Sequence, residues 1–247
     1  MRLLFINPNS TEAMTTAAVN TCQQFVAKDV TIIGATSSYG PPSIEGYYDE
    51  VFSIPPMLEK INSFIKDQEN PIDGVIIGCF DDTGVDAARS MLDIPVIGLC
   101  QAAMQTATLI SNRFSIITTL SRSVPALRHL VSKYGYSEIC PNVRSSEIPV
   151  LELEKSGSNA EEILSIQIQH AIEEDGAEAI VLGCAGMVNL TERLSDKFGL
   201  PIVEGVVPAV NIVSCLVRTG VKTSKQGGYA SPVAKEYLGE FKKHSPE

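Results

Sequence analysis

Two cysteines, Cys79 and Cys184, stand in matching surroundings. Each follows a short apolar run and a glycine: Val75-Ile76-Ile77-Gly78-Cys79 and Ile180-Val181-Leu182-Gly183-Cys184. A cysteine that ends a parallel strand and opens a helix lies where open α/β sheets bind ligands. The N–H groups and dipole of that helix would favour a thiolate. The glycine allows a tight turn and close approach of a substrate. One such cysteine reads as a nucleophile, whereas two at related positions read as a pair of bases facing each other across one substrate. At a C–H beside a carbonyl, one thiolate removes the proton from one face and a thiol on the other face returns a different proton. Oriented N–H donors stabilise the enolate between the two steps. The centre is inverted with no cofactor and no metal. The remaining thiols, Cys22, Cys100, Cys140 and Cys215, read as inert core, because free cysteine is among the most buried residue types.

The elements that must position the pair are legible as apolar runs separated by amphipathic stretches. Leu3–Ile6, Val30–Ile33, Val75–Ile77, Ile94–Ile97, Phe114–Ile117, Ile180–Leu182 and Pro201–Val203 read as buried strands of parallel sheets covered by helices on both faces. Ser10 or Thr11 is expected to cap a first helix, and Ser158 or Asn159 one over Glu161–Glu173. The order strand, Gly-Cys turn, helix, proline-led strand occurs twice: Pro95 follows Cys79 by 16 residues and Pro201 follows Cys184 by 17. The fold class is therefore α/β, with two similar lobes related by pseudo-twofold duplication. Each lobe is a mostly parallel sheet flanked by helices, and the active site lies in the cleft between them. Residues 1–97 with 208–247 are expected to form the lobe carrying Cys79, and 98–207 the lobe carrying Cys184. The closing segment 222–247 is more polar, and its end is expected to fray.

Bulk properties exclude several classes. Of the 247 residues 44% are hydrophobic and 19% charged, as in a soluble globular protein with a substantial core. The formal net charge of −10, without a basic cluster, argues against a nucleic-acid partner. No apolar stretch is long enough to cross a membrane or to form a signal-peptide core, and the scattered cysteines never form CxxC. Reduced thiols in the cytoplasm follow. There is no GxGxxG, P-loop or GxSxG, and His129, His170 and His244 lack metal-ligand spacing.

The segments INPNST at the start, PPSIEGYYDE at 41–50, VIIGCFDDTGVDAAR around Cys79, FSIITTL at 114–120 and IVLGCAGM around Cys184 together resemble the hydantoin and allantoin racemases of the aspartate/glutamate racemase superfamily. The resemblance covers essentially the whole chain. It implies a two-lobed α/β fold, a homo-oligomer, no cofactor, and catalysis by Cys79 and Cys184. Amino-acid racemases of the superfamily typically carry Cys-Asn-Thr and Cys-Thr-His at these turns. Here the residues are Cys79-Phe80-Asp81 and Cys184-Ala185-Gly186, so the side chains that would hold a zwitterion are missing. A neutral cyclic ureide held through backbone groups fits better. Allantoin, a substrate of purine breakdown, is the first choice, ahead of hydantoins with other substituents.

Other residues are candidates for substrate contact. Asn7 and Thr118 with Thr119 end the opening strands of the two halves, although such residues also serve turns and caps. Phe80, Ala185 and Gly186 follow the cysteines. Ser43 is drawn in by the resemblance, Tyr47 or Tyr48 could line an apolar wall, and Glu204 lies near a strand end. Asp81 and Asp82 read as partners of a helix dipole. Three other readings compete: maleate isomerisation through cysteine addition, malonate decarboxylation, and a two-lobed protein that binds a small molecule without turning it over.

Overall fold

Strands β1 (Arg2–Asn7), β2 (Thr31–Thr36), β3 (Gly74–Ile77) and β4 (Val96–Gly98) form one parallel sheet in the order β2-β1-β3-β4. Strands β5 (Phe114–Thr118), β6 (Val143–Ser145), β7 (Ala179–Leu182) and β8 (Ile202–Val203) form a second in the order β6-β5-β7-β8. The computed structural model describes residues 1–153 and 159–246. Among the described residues the α-helices are α1 (Glu12–Phe25), α2 (Tyr47–Ile65), α3 (Val85–Met91), α4 (Leu99–Ile110), α5 (Val124–Lys133), α6 (Ala160–Asp175), α7 (Thr191–Phe198) and α8 (Val206–Arg218).

The duplication extends to individual hydrogen bonds. Gly78 N–H donates to Ile6 C=O at 2.7 Å and Gly183 N–H to Ile117 C=O at 2.8 Å. Ser37 N–H donates to Asn7 C=O and Ser146 N–H to Thr118 C=O. Val75 N–H reaches Pro95 C=O and Ile180 N–H reaches Pro201 C=O, so the two prolines begin equivalent strands. Seven of the eight strands are the runs expected from sequence. The eighth, β6, has one apolar residue in Val143-Arg144-Ser145, so it carries no buried-strand signature.

Alternation along the strands builds the core. Leu3, Phe5 and Ile76 of the first sheet share a cluster with Phe114, Ile116 and Val181 of the second, with residues of α1, α4, α5 and α8 between them. The opposite faces are separate: Leu4, Ile6, Val75 and Ile77 pack against α2 and α3, and Ile117, Ile180 and Leu182 against α6 and α7. Helix α4 leaves the first sheet and contacts β7 and β8, and α8 leaves the second and contacts β3 and β4.

Three expectations need correction. The Ser10 and Thr11 hydroxyls make no cap to α1. They donate to backbone carbonyls of 40–42 and tether that segment, and the Thr11 N–H is instead taken up by Asn9 Oδ1. Asn159 precedes α6 without a side-chain cap bond, and Ser158 lies outside the described residues. The closing segment is tied down along its length, including close to the end expected to fray. Thr223 is bonded to Asp93 and Ile94, Lys225 to the carbonyls of Arg89 and Ser90, and Tyr229 to Asp86 of α3. Farther on, Lys243 and His244 meet Glu59 of α2. Among the described residues no helix is long and apolar enough to cross a membrane.

Candidate active site

In each sheet the chain moves from the first strand to one neighbour and then returns to the other side, so the reversal falls between β1 and β3, and between β5 and β7. Ligands bind outside the carboxyl ends of strands at such reversals. The residues there are Asn7 and Cys79 in one half and Thr118 and Cys184 in the other. All four line one cavity of about 50 Å³, room for about three or four waters. Its wall also includes Asn9, Ile44, Phe80, Asp81, Thr119, Ser123, Val150, Ala185 and Gly186.

The glycines before the cysteines are fixed by packing. A Cβ on Gly78 would lie 2.5 and 2.7 Å from the Phe5 ring and 3.1 Å from the Ile6 carbonyl oxygen. One on Gly183 would lie 3.1 Å from both Cα and Cβ of Thr118. Gly78→Ala is expected to lower stability by about 1–3 kcal/mol through this overpacking, read from the midpoint of urea unfolding. Gly183→Ala should cost less, because its contacts are less compressed.

Cys79 does not open a helix. It is followed by a turn, and α3 begins only at Val85. The expected lowering of its thiol pKa is therefore overturned. Burial is the largest influence and the neighbouring Asp81 carboxyl the next, and both push the Cys79 thiol up. The Thr83 hydroxyl, donating to Sγ at 3.4 Å, and the Asp81 N–H oppose them only in part. Cys184 leads directly into a 3-10 turn over Ala185–Leu190. By position, the N–H groups of Ala185 and Gly186 at its start have no acceptor within the turn and border the cavity. Cys22, Cys100 and Cys140 are buried, whereas Cys215 is exposed rather than core.

The other expected residues separate clearly. Phe80, Ala185 and Gly186 line the cavity, and so does Thr119, whose hydroxyl has no partner among the described residues. Thr118 Oγ1 donates to Gly183 C=O at 3.3 Å, which joins the opening strand to the second cysteine turn. The Asn7 amide is engaged by Asn9, the Thr11 carbonyl and Thr15, so it organises the turn into α1. Ser43 is half-buried and outside the cavity wall, where Ile44 stands instead. Tyr47 and Tyr48 are exposed on α2 and do not line the cavity. Tyr47 Oη instead meets His129 Nδ1 of α5 at 3.2 Å. Glu204 accepts from the N–H groups of Val206 and Val207 and caps α8.

Sequence reasoning passed over Asn9, Ile44, Ser123 and Val150. Their signals were faint: Asn9 is part of the Asn7-Pro8-Asn9 break, and Ile44 is the one large aliphatic in a polar loop. Ser123 and Val150 carried none. The Glu45 carboxylate accepts from Val150 N–H at 3.0 Å and so ties the 41–50 segment to the other half.

Two parallel sheets flanked by helices, with equivalent cysteine turns on one cavity, define a two-lobed enzyme of the racemase class. Residues 3–213 match the Asp/Glu/Hydantoin racemase family, and the chain belongs to it. It is 44% identical to the hydantoin racemase of Rhizobium meliloti, over 97% of this chain and 98% of that protein. It is also similar to two solved structures. The allantoin racemase from Klebsiella pneumoniae has a TM-score of 0.94 and 37% identity, with all of both chains covered. The allantoin racemase from Pseudomonas fluorescens has a TM-score of 0.92 and 34% identity, over 97% of this chain and all of that one.

Proposed function

We propose that the chain racemises 5-substituted hydantoins, allantoin first among them, by two-base proton transfer at C5 between Cys79 and Cys184. The observation that carries this is the placement of both thiols, from equivalent strand ends, on the wall of one cavity. One cysteine, as thiolate, takes the C5 proton and becomes a thiol, and the electron pair passes into the adjacent carbonyl. The other thiol then protonates C5 from the opposite face and becomes the thiolate, so the next turnover runs in the reverse sense. Burial and Asp81 favour Cys79 as the thiol that delivers a proton. The N–H groups of Ala185 and Gly186 are suited to hold the enolate oxygen.

Among the described residues no Lys, Arg or His lines the cavity, which suits a neutral ring better than a dianion such as maleate. Asn9, Thr119 and Ser123 give the cavity polar edges, which favours the ureido substituent of allantoin over a large aromatic one. The reading includes a homo-oligomer acting in the cytoplasm, with lobes of 1–97 plus 208–247 and 98–207.

The test is incubation of one allantoin enantiomer in D2O, with optical rotation and deuterium at C5 followed together against an enzyme-free control. Loss of rotation should keep pace with deuterium uptake. A parallel series with 5-benzylhydantoin should run at least about tenfold slower in kcat/KM, the range that pocket shape alone supplies. Faster turnover of the benzyl compound would reassign the substituent.

A further inference from the structure

We propose that the Asp81 carboxyl is the specificity-determining group of this cavity, offering a hydrogen bond to an uncharged ring beside Cys79 while it is protonated and turning away ligands that carry a carboxylate once it is ionised. The inference rests on the proposed racemase reading and assigns a function to a residue that the two-cysteine mechanism does not use.

Asp81 and Asp82 are neighbours with opposite environments. The Asp82 carboxylate is taken up by the fold. Its Oδ1 accepts from Cys100 N–H at 2.9 Å, and its Oδ2 accepts from Gln101 N–H at 3.0 Å and from the Tyr134 hydroxyl at 2.6 Å. The Asp81 carboxyl has no hydrogen-bond donor among the described residues, yet Asp81 lines the cavity and its charge acts on Cys79. A carboxyl left without a protein partner beside the reacting group is available to the ligand.

The groups facing it are acidic or neutral. Glu50 comes from α2, Asp82 from the same turn, Cys79 from the end of β3, and Cys100 from α4. Glu50 is itself raised by burial, and its Oε1 is buried without a partner among the described residues. Burial first, then Glu50 and Asp82, push the Asp81 carboxyl up to about 8. At neutral pH it is mainly a neutral acid, able to donate a hydrogen bond to a ring carbonyl. Above about pH 8 it ionises, and a fixed negative charge then opposes the Cys79 thiolate, the enolate and any anionic ligand. Rising pH should therefore lower activity through this group, against the rise expected from thiol ionisation alone.

The experiment compares wild type, Asp81→Asn and Glu50→Gln by kcat/KM from pH 6 to 10, and by calorimetric binding of hydantoin and of N-carbamoylglycine, its ring-opened carboxylate. The ring's own ionisation is common to all three proteins, so differences between the profiles belong to the protein. Asp81→Asn should remove the alkaline decline and, at pH 9, bind N-carbamoylglycine at least about tenfold more tightly than wild type, whereas at pH 6, where the wild-type carboxyl is protonated, the two proteins should bind it alike. Glu50→Gln removes a charge that raises Asp81, so its decline should begin at lower pH. Superimposable profiles and unchanged carboxylate binding in both variants would overturn the inference. If no protein racemises any hydantoin, the proposed function fails. Carboxylate exclusion that depends on Asp81 would still stand in the binding data.

Discussion

Cys79→Ser and Cys184→Ser are each expected to slow racemisation by at least about 10³-fold, the range in which a positioned general acid or base contributes. A serine hydroxyl ionises far above the working pH and neither takes nor gives the C5 proton effectively. Each variant keeps one thiol, so each should still exchange C5 hydrogen for deuterium in a single enantiomer, with retention. The two variants should favour opposite enantiomers, because the surviving thiols approach from opposite faces. Chiral chromatography of the recovered substrate with mass spectrometry separates inversion from exchange. Substantial racemisation by either variant would rule out the two-base mechanism. Stability should barely change in either variant, since both sulphurs border a cavity rather than fill a core. The thiols act on one another electrostatically, so the apparent ionisations in a pH profile belong to the pair.

Asp82→Ala is expected to be the most destabilising single change near the site, by about 3 kcal/mol or more. Cys100 N–H, Gln101 N–H and the Tyr134 hydroxyl would all lose their acceptor, and each buried unsatisfied donor costs about 1–3 kcal/mol. Helix α4 is also the connection between the two sheets, so fraying its first turn loosens the junction that fixes Cys79 relative to Cys184. The carboxylate fits against Gly98, where an added Cβ would fall 2.1 Å from Asp82 Oδ1. Asp82→Asn, which keeps one acceptor oxygen, should lie between wild type and alanine. Urea unfolding followed by circular dichroism measures the order. Equal stability of wild type and Asp82→Ala would remove this residue from the account of the junction.

The two aspartates show where local reading stops. Both suited the dipole of the helix immediately after Cys79. In three dimensions Asp82, in a left-handed conformation at φ 49°, turns away from that helix and caps α4, which begins 17 residues later. Asp81 faces the cavity. Nothing in the order of residues distinguishes them, because the α4 N–H groups reach Asp82 only after β3 and β4 have paired. Asn7 and Glu204 repeat the lesson: polar residues at strand ends were read toward the ligand, and neighbouring turns claim them first. Tyr47 and Ile44 changed places with respect to the cavity, because α2 begins at Tyr47 and turns its first residue outward to His129 of the other half.

The sequence by itself determined seven of the eight strands, the repeated Gly-Cys turn and the two-lobed α/β class, and it marked Cys79 and Cys184 as equivalent positions. Each of these is written in short-range features: apolar runs of strand length, and glycines that a Cβ would exclude. Only the tertiary structure decided the electrostatics. The Cys79 thiol is raised rather than lowered because burial and Asp81 surround it, and no helix begins at its turn. Charge energies depend on distances across elements far apart in the chain and on how much water each group loses, and neither is encoded in local spacing.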